Sequence, residues 1–240
     1  MKKLIKQLRL NNNGAAMVSV IVVAAFITIL ASTMLYFTGM NYQMKSADYQ
    51  NAKTFYDAEK ALDVIKAVLV KDVSVAYELA YRDVMTDYAN YSDAEQRNYA
   101  CAERFVEEME KIWLARAVGK TEGQKYEEAL IELITNDPDI DSAVKSEVVG
   151  HIYIDPSEPP INISKVDSEG KFILSNVKVV SHAQGGYNSY IMTDIGLLVP
   201  EYDFINGSKS TYEAPAVPVD AEEKILNMSN SVIYMNWRRY

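Results

Sequence analysis

Residues 14–42 read GAAMVSVIVVAAFITILASTMLYFTGMNY, and a short basic stretch, MKKLIKQLRLNNN, stands ahead of them. From Ala15 to Met40 no side chain carries a charge. The polar groups there are the hydroxyls of Ser19, Thr28, Ser32, Thr33, Tyr36 and Thr38, and the short ones can bond back to helix carbonyls. As a helix the run would measure about 39 Å at ~1.5 Å per residue. A bilayer core needs only about 20 apolar residues, so the run is long enough to span. Lys2, Lys3, Lys6 and Arg9 lie on its N-terminal flank, which predicts a cytoplasmic N-terminus, with residues 41–240 outside. Tyr36, Tyr42 and Tyr49 suit the outer interface. A cleaved secretory signal would have an apolar region of about 7–15 residues, shorter than this one. Two readings remain: an uncleaved signal anchor, or a chain cut on the cytoplasmic side after Gly14, leaving Ala15 as the new N-terminus.

Composition narrows the function of the rest. The 240 residues carry a net charge of −9. Without the basic stretch the figure is about −13, an acidic surface that disfavours nucleic acid as a partner. A single cysteine, Cys101, excludes an intrachain disulfide and a thiolate-rich metal site. The histidines are His151 and His182, and neither has metal-ligand spacing. Seventeen tyrosines suit half-wet surfaces and protein contacts.

Beyond Met40 the pattern predicts continuation of one helix to about Val70. Phe55, Ala58, Leu62, Ile65 and Leu69 form an apolar packing stripe, while Lys45, Asp48, Lys53, Asp57, Lys60 and Lys66 fall off it. Asp72 to Tyr91 is helical in tone, weakened by Val73, Val75 and several tyrosines. Ser92-Asp-Ala-Glu95 reads as a capping box opening a helix that Gly119 stops, with Phe105, Met109, Ile112, Trp113 and Arg116 on its inner face and edge. Thr121-Glu-Gly-Gln124 reads as a second box, before a helix bearing Tyr126, Ala129, Leu130, Leu133 and Ile134. These two helices make residues 92–146 a helical insert. Strands are predicted at His151–Asp155, Ile161–Ser164, Phe172–Ser181, Tyr187–Val199 and Ser231–Trp237, with a turn at Gln184-Gly-Gly186. Residues 206–221 read as a loop, and 220–227 as a helical turn. The expected fold is α+β: a spine helix with a transmembrane half (15–40) and an amphipathic half with its extension (41–91), the insert (92–146), and a small antiparallel sheet (147–240).

The stretch from Gly14 to Tyr42 resembles the N-terminus of type IV pilin-like proteins. The resemblance extends to TFYDAEKALDVI (54–65), similar to the F-Y-x-A-E-x-x-L signature of PilX-like minor pilins and the tip pseudopilin of type II secretion. FILSNVKVVSHAQGGYNSYIMTDIGLLVP and SVIYMNWRRY look like the C-terminal part of pilin-like proteins from Firmicutes. The resemblance implies that residues 1–14 are a leader, removed between Gly14 and Ala15 by prepilin peptidase, and that the new N-terminus is methylated. It implies that the apolar helix rests in the cytoplasmic membrane and then in a fibre core. The implied partners are other pilin subunits and the assembly platform, and the stripe would pack on the sheet. Most of the family has Glu at the fifth mature position, here Ser19, so the chain lacks the carboxylate that neutralises a neighbour's N-terminus. The departure favours a minor subunit at the tip or start of a fibre. The usual proline of the first helix is also missing, which leaves Gly39 as its weak point.

No catalytic constellation occurs. Asp137-Pro-Asp-Ile-Asp141 matches the first three ligand positions of a calcium loop, but Ser142 and Val148 stand where Gly and Glu are needed. A solvated acidic turn that caps a helix is the simpler reading. Gly185-Gly186 lacks a phosphate-loop context, and Glu107-Glu108 and Glu127-Glu128 read as solvated faces. The expectation is a non-enzymatic assembly subunit without cofactor or metal.

Overall fold

The computed structural model describes residues 16–154, 158–166, 169–183, 186–199 and 228–239, with backbone alone for 2–15 and 228–229. Contacts divide the chain into two units, Met1–Ala52 and Lys53–Tyr240. The chain is α+β, with one long N-terminal helix and a small antiparallel sheet.

Helix α1 runs from Lys2 to Thr86. It passes through Gly39 unbroken, and a Cβ there would meet nothing within 4 Å. It also continues well past Val70. Tyrosines and β-branched residues lower its propensity there, yet Val73, Ala76, Ala80 and Val84 are all fully buried. Burial of an apolar stripe outweighs the few tenths of a kcal/mol that each unfavourable residue costs. A single 3₁₀ turn at Tyr88–Asn90 follows.

Helix α2 spans Ala94–Ala117, and its N-cap is Asp93 rather than Ser92. The Asp93 carboxylate accepts from the Gln96 N–H at 2.8 Å, and the Gln96 side chain accepts from the Ser92 N–H at 3.0 Å. The box is therefore one residue later than predicted: Asp93 and Gln96, rather than Ser92 and Glu95, supply its side chains. Gly119 follows the helix at φ +79°, the left-handed stop expected of it. Helix α3, Lys125–Asn136, has Gln124 at its N-cap with no side-chain cap bond. Thr121 does not cap it; its carbonyl instead accepts from the Gln124 N–H in a preceding turn.

A fourth helix, α4 at Ser142–His151, occupies residues where the pattern predicted the end of the insert and a strand. Asp141 caps it by accepting from the Ala143 N–H at 2.8 Å. Among the described residues of the predicted strand at 151–155, Ile152 forms an isolated bridge to Val179 and the Tyr153 N–H donates to the Lys178 carbonyl. Apolar residues over so short a span fit either period, and the cap decided it.

The sheet is an antiparallel meander, β1 (Asn162–Val166), β2 (Lys171–His182), β3 (Asn188–Leu198) and β4 (Val232–Arg239), in chain order. Gly170, before β2, has φ +57°, and a Cβ there would lie 2.2 Å from the Val199 side chain, so only glycine fits. The expected turn at 184–186 lies partly outside the described residues; Gly186 has φ +83°, and Ala183 N–H donates to the Tyr187 carbonyl. The expected loop at 206–221 and the turn at 220–227 lie outside them entirely.

Two β-bulges interrupt the ladders, between Leu174 and Val177 on β2 and between Met192 and Asp194 against β4. Asn176 and Asn236, at φ 62° and 51°, mark them. Asp194 joins the two, accepting from the Asn176 N–H at 2.9 Å and from the Asn236 amide at 2.7 Å. One core serves the Lys53–Tyr240 unit and includes Leu62, Ile65, Leu69, Phe105, Trp113, Leu130, Phe172, Leu174, Ile191 and Ile195.

Candidate functional site

In the Met1–Ala52 unit, every residue from Ala16 to Gly39 is exposed. Bulky apolar side chains point outward all round the helix, as with Val20 at 68%, Phe26 at 65% and Leu35 at 74%. Four of the hydroxyls among them are bonded inside the helix. Thr28 donates to the Ala24 carbonyl, Ser32 to that of Thr28, Thr33 to that of Leu30 and Thr38 to that of Met34, each at 2.8 Å. Such a helix presents hydrocarbon in every direction and satisfies these hydroxyls within itself, as an apolar surrounding such as lipid requires. Among the described residues this is one helix long and apolar enough to cross a membrane, and it lies near the N-terminus. Ser19 sits on its exposed surface. Gly14 and Ala15 fall where the backbone is helical and side chains are outside the described residues.

In the Lys53–Tyr240 unit, Ala58, Leu62, Ile65 and Leu69 are buried, and Phe55 packs at the margin of the core. Several sheet residues meet this face of α1. The Tyr234 hydroxyl donates to the Leu62 carbonyl at 2.6 Å, Thr54 and Ser189 share a hydrogen bond of 2.8 Å, and the Lys66 ammonium lies 5.8 Å from the Tyr234 ring. Burial pushes the Tyr234 phenol above its ordinary pKa, which keeps it a donor. The five-residue stripe omits much of the buried face: Thr54, Ala61, Val68, Asp72 and Val73 lie beside it.

Ion pairs fasten the insert to α1. Asp72 is buried and holds Arg116 of α2 in a two-point bridge, with one bond of 2.7 Å. Lys71 reaches both oxygens of Asp137 at 2.7 Å and Asp139 at 2.6 Å. Burial would push the Asp137 carboxyl up, but the Lys71 ammonium and the Asp139 backbone N–H outweigh it and hold it below its ordinary value. The same contacts raise Lys71. The three carboxylates of the predicted acidic turn are thus divided: two face a lysine and Asp141 caps α4. Among the described residues no group of three His, Cys, Asp or Glu side chains is placed to hold a metal. Cys101 is buried, and burial pushes its thiol up to about 12.

Sequence periodicity could not find Asp72–Arg116, Lys71–Asp137 or Tyr234–Leu62, because each joins residues far apart in the chain. Glu127, read as part of a solvated face, is buried instead, and one of its oxygens accepts from the Ile161 N–H at 2.6 Å. No family model, curated protein or solved structure matches the chain.

Proposed function

We propose that this chain is a minor subunit of a type IV pilus-like or pseudopilus-like fibre, at its tip or start, and works by assembly without catalysis. The observation that carries the proposal is the pairing, on one helix, of a stretch exposed and apolar all round with a stretch buried against a sheet. The first stretch stores the subunit in the cytoplasmic membrane, N-terminus inside. Prepilin peptidase removes residues 1–14 after Gly14, and Ala15 becomes the methylated N-terminus. The assembly platform then draws the helix from lipid into a bundle of like helices. One apolar surrounding replaces another, so the hydrophobic cost of transfer is small. Ser19 supplies no carboxylate to a neighbour's N-terminal ammonium, which suits a subunit at an end of the fibre.

Mass measurement of the protein extracted from membranes, with and without a co-expressed prepilin peptidase, tests the proposal. The expected product begins at Ala15 and gains a methyl group only when the peptidase is present. A chain that keeps Met1 in both cases, or is cut beyond Met40, overturns it and leaves a single-pass anchored surface protein.

A further inference from the structure

Where α1 gives way to α2, the Lys53–Tyr240 unit carries an open groove of about 620 Å³, and all of its lining comes from the described stretch between Tyr91 and Arg104. It lies about 50 Å along the spine from Lys53, at ~1.5 Å per residue. The local sequence builds it. Gln96, Ala100 and Arg104 recur every four residues and form one row along α2, and Glu95, Tyr99 and Glu103 form the next. Ala100 is small and only 9% exposed, which leaves room between the longer side chains on either side of it. Tyr91 is half-buried against the core just ahead of the helix, and Tyr99 is 54% exposed. The near end is pinned: Asp93 accepts from the Gln96 N–H at 2.8 Å and from the Ser92 hydroxyl at 3.1 Å.

The lining offers hydrogen-bond acceptors and donors side by side. Glu95 and Glu103 are exposed carboxylates, which accept only. The Gln96 side-chain oxygen accepts from the Ser92 N–H at 3.0 Å, so the amide NH2 is the end left to donate. Arg104 is a planar fork of donors, oriented by one bond to Glu107 at 3.1 Å. The tyrosines add flat rings, each with an apolar face and a wet hydroxyl. A hydroxyl group both donates and accepts, so a ring bearing several of them matches side chains of both kinds. The C–H face of the same ring matches a tyrosine. A basic peptide would use the carboxylates but meet Arg104, and it would leave the donors without acceptors. An acidic ligand would face three carboxylates, Asp93, Glu95 and Glu103, against one guanidinium.

We propose that the Tyr91–Arg104 groove binds a glycan of neutral or amino-bearing pyranose rings. Glu95 and Glu103 accept from its hydroxyl or amino groups, Gln96 and Arg104 donate to its oxygens, and a ring face lies against Tyr99. The volume falls within the roughly 300–1,000 Å³ of small-molecule sites. Most of the recognition sits on one capped helix, which holds the groups in place before the ligand arrives. The site lies wholly inside the Lys53–Tyr240 unit and needs neither leader cleavage nor assembly.

The test places the full chain, in a detergent without a sugar headgroup, on an array of immobilised neutral, amino-bearing and acidic glycans, with an oligolysine peptide as a further spot. The wild type is retained by neutral or amino-bearing glycans, and less by the acidic ones and the peptide. Tyr99→Ala and Glu103→Ala, both at exposed positions, each weaken retention by about tenfold and leave the thermal midpoint unchanged. Tyr99→Phe keeps the ring face and most of the retention. A wild type that no neutral or amino-bearing glycan holds overturns the proposal. So does retention that either alanine variant leaves unchanged, or a stronger grip on the peptide or on acidic glycans. Leader cleavage plays no part in the array, so it fails or succeeds independently of the fibre reading.

Discussion

Arg116→Ala should be among the most damaging single changes outside the apolar core. The Asp72 side chain is 7% exposed and the Arg116 side chain 28%, so the carboxylate is the deeper partner. Truncating the arginine leaves a buried charge with its guanidinium gone, a loss of about 3–5 kcal/mol for a buried pair. Partial exposure of Arg116 admits water to the vacated space and places the expected loss near the lower end, about 3 kcal/mol. For a unit of this size that lowers Tm by roughly 6–12 °C. The assay is thermal unfolding of the full chain in detergent, followed by near-ultraviolet circular dichroism. Asp72→Asn combined with Arg116→Met removes both charges and should recover most of the loss, giving a coupling of at least ~1.5 kcal/mol in a double-mutant cycle. A single-variant loss below about 1 kcal/mol, or a coupling near zero, would refute the claim that the bridge fastens α2 to the spine.

Lys71 and Asp137 predict an acid limb to stability. The folded-state pKa of Asp137 lies below its ordinary 3.8, so its contribution is present at neutral pH and is lost as pH falls below that value. Lys71 is raised above 10.5, so its own contribution fades only in strong alkali. Lys71→Ala should flatten the acid limb in urea titrations between pH 5 and 3, and an unchanged slope would count against the pair. Cys101, buried with its thiol pushed up to about 12, should react with a disulfide reagent only as fast as the unit opens, and at once in denaturant. Rapid labelling of native protein would contradict its placement. Tyr234→Phe should cost about 1 kcal/mol, by loss of the hydroxyl donated to the Leu62 carbonyl, with midpoint but not slope changing in urea unfolding.

How much of this was legible in the sequence depended on the range of the forces involved. Periodicity placed the apolar helix, the buried face through Ala58, Leu62, Ile65 and Leu69, and the β2–β3 hairpin, because spacing along the chain alone decides which side chains share a face. Local chemistry was less secure where neighbours competed: Asp93 took the cap from Ser92, and α4, capped by Asp141, ran on to His151, where a strand was expected to begin. The acidic turn at Asp137 held the right residue types for a cation, but no local pattern could say that Lys71 would supply it.

The amino-acid order by itself determined that a charge-free run near the N-terminus forms a helix long and apolar enough to cross a membrane, and that an α+β unit follows it. Tertiary structure secured the extension of α1 that the sequence read as helical in tone, since burial of Val73, Ala76, Ala80 and Val84 carries it past residues that disfavour helix. It also decided which charges are buried in pairs and which arginines are left facing outward. Propensity and periodicity act over a few residues, whereas the Asp72–Arg116 bridge and the Tyr234–Leu62 hydrogen bond join atoms more than forty residues apart, and those partners exist only once the chain has folded.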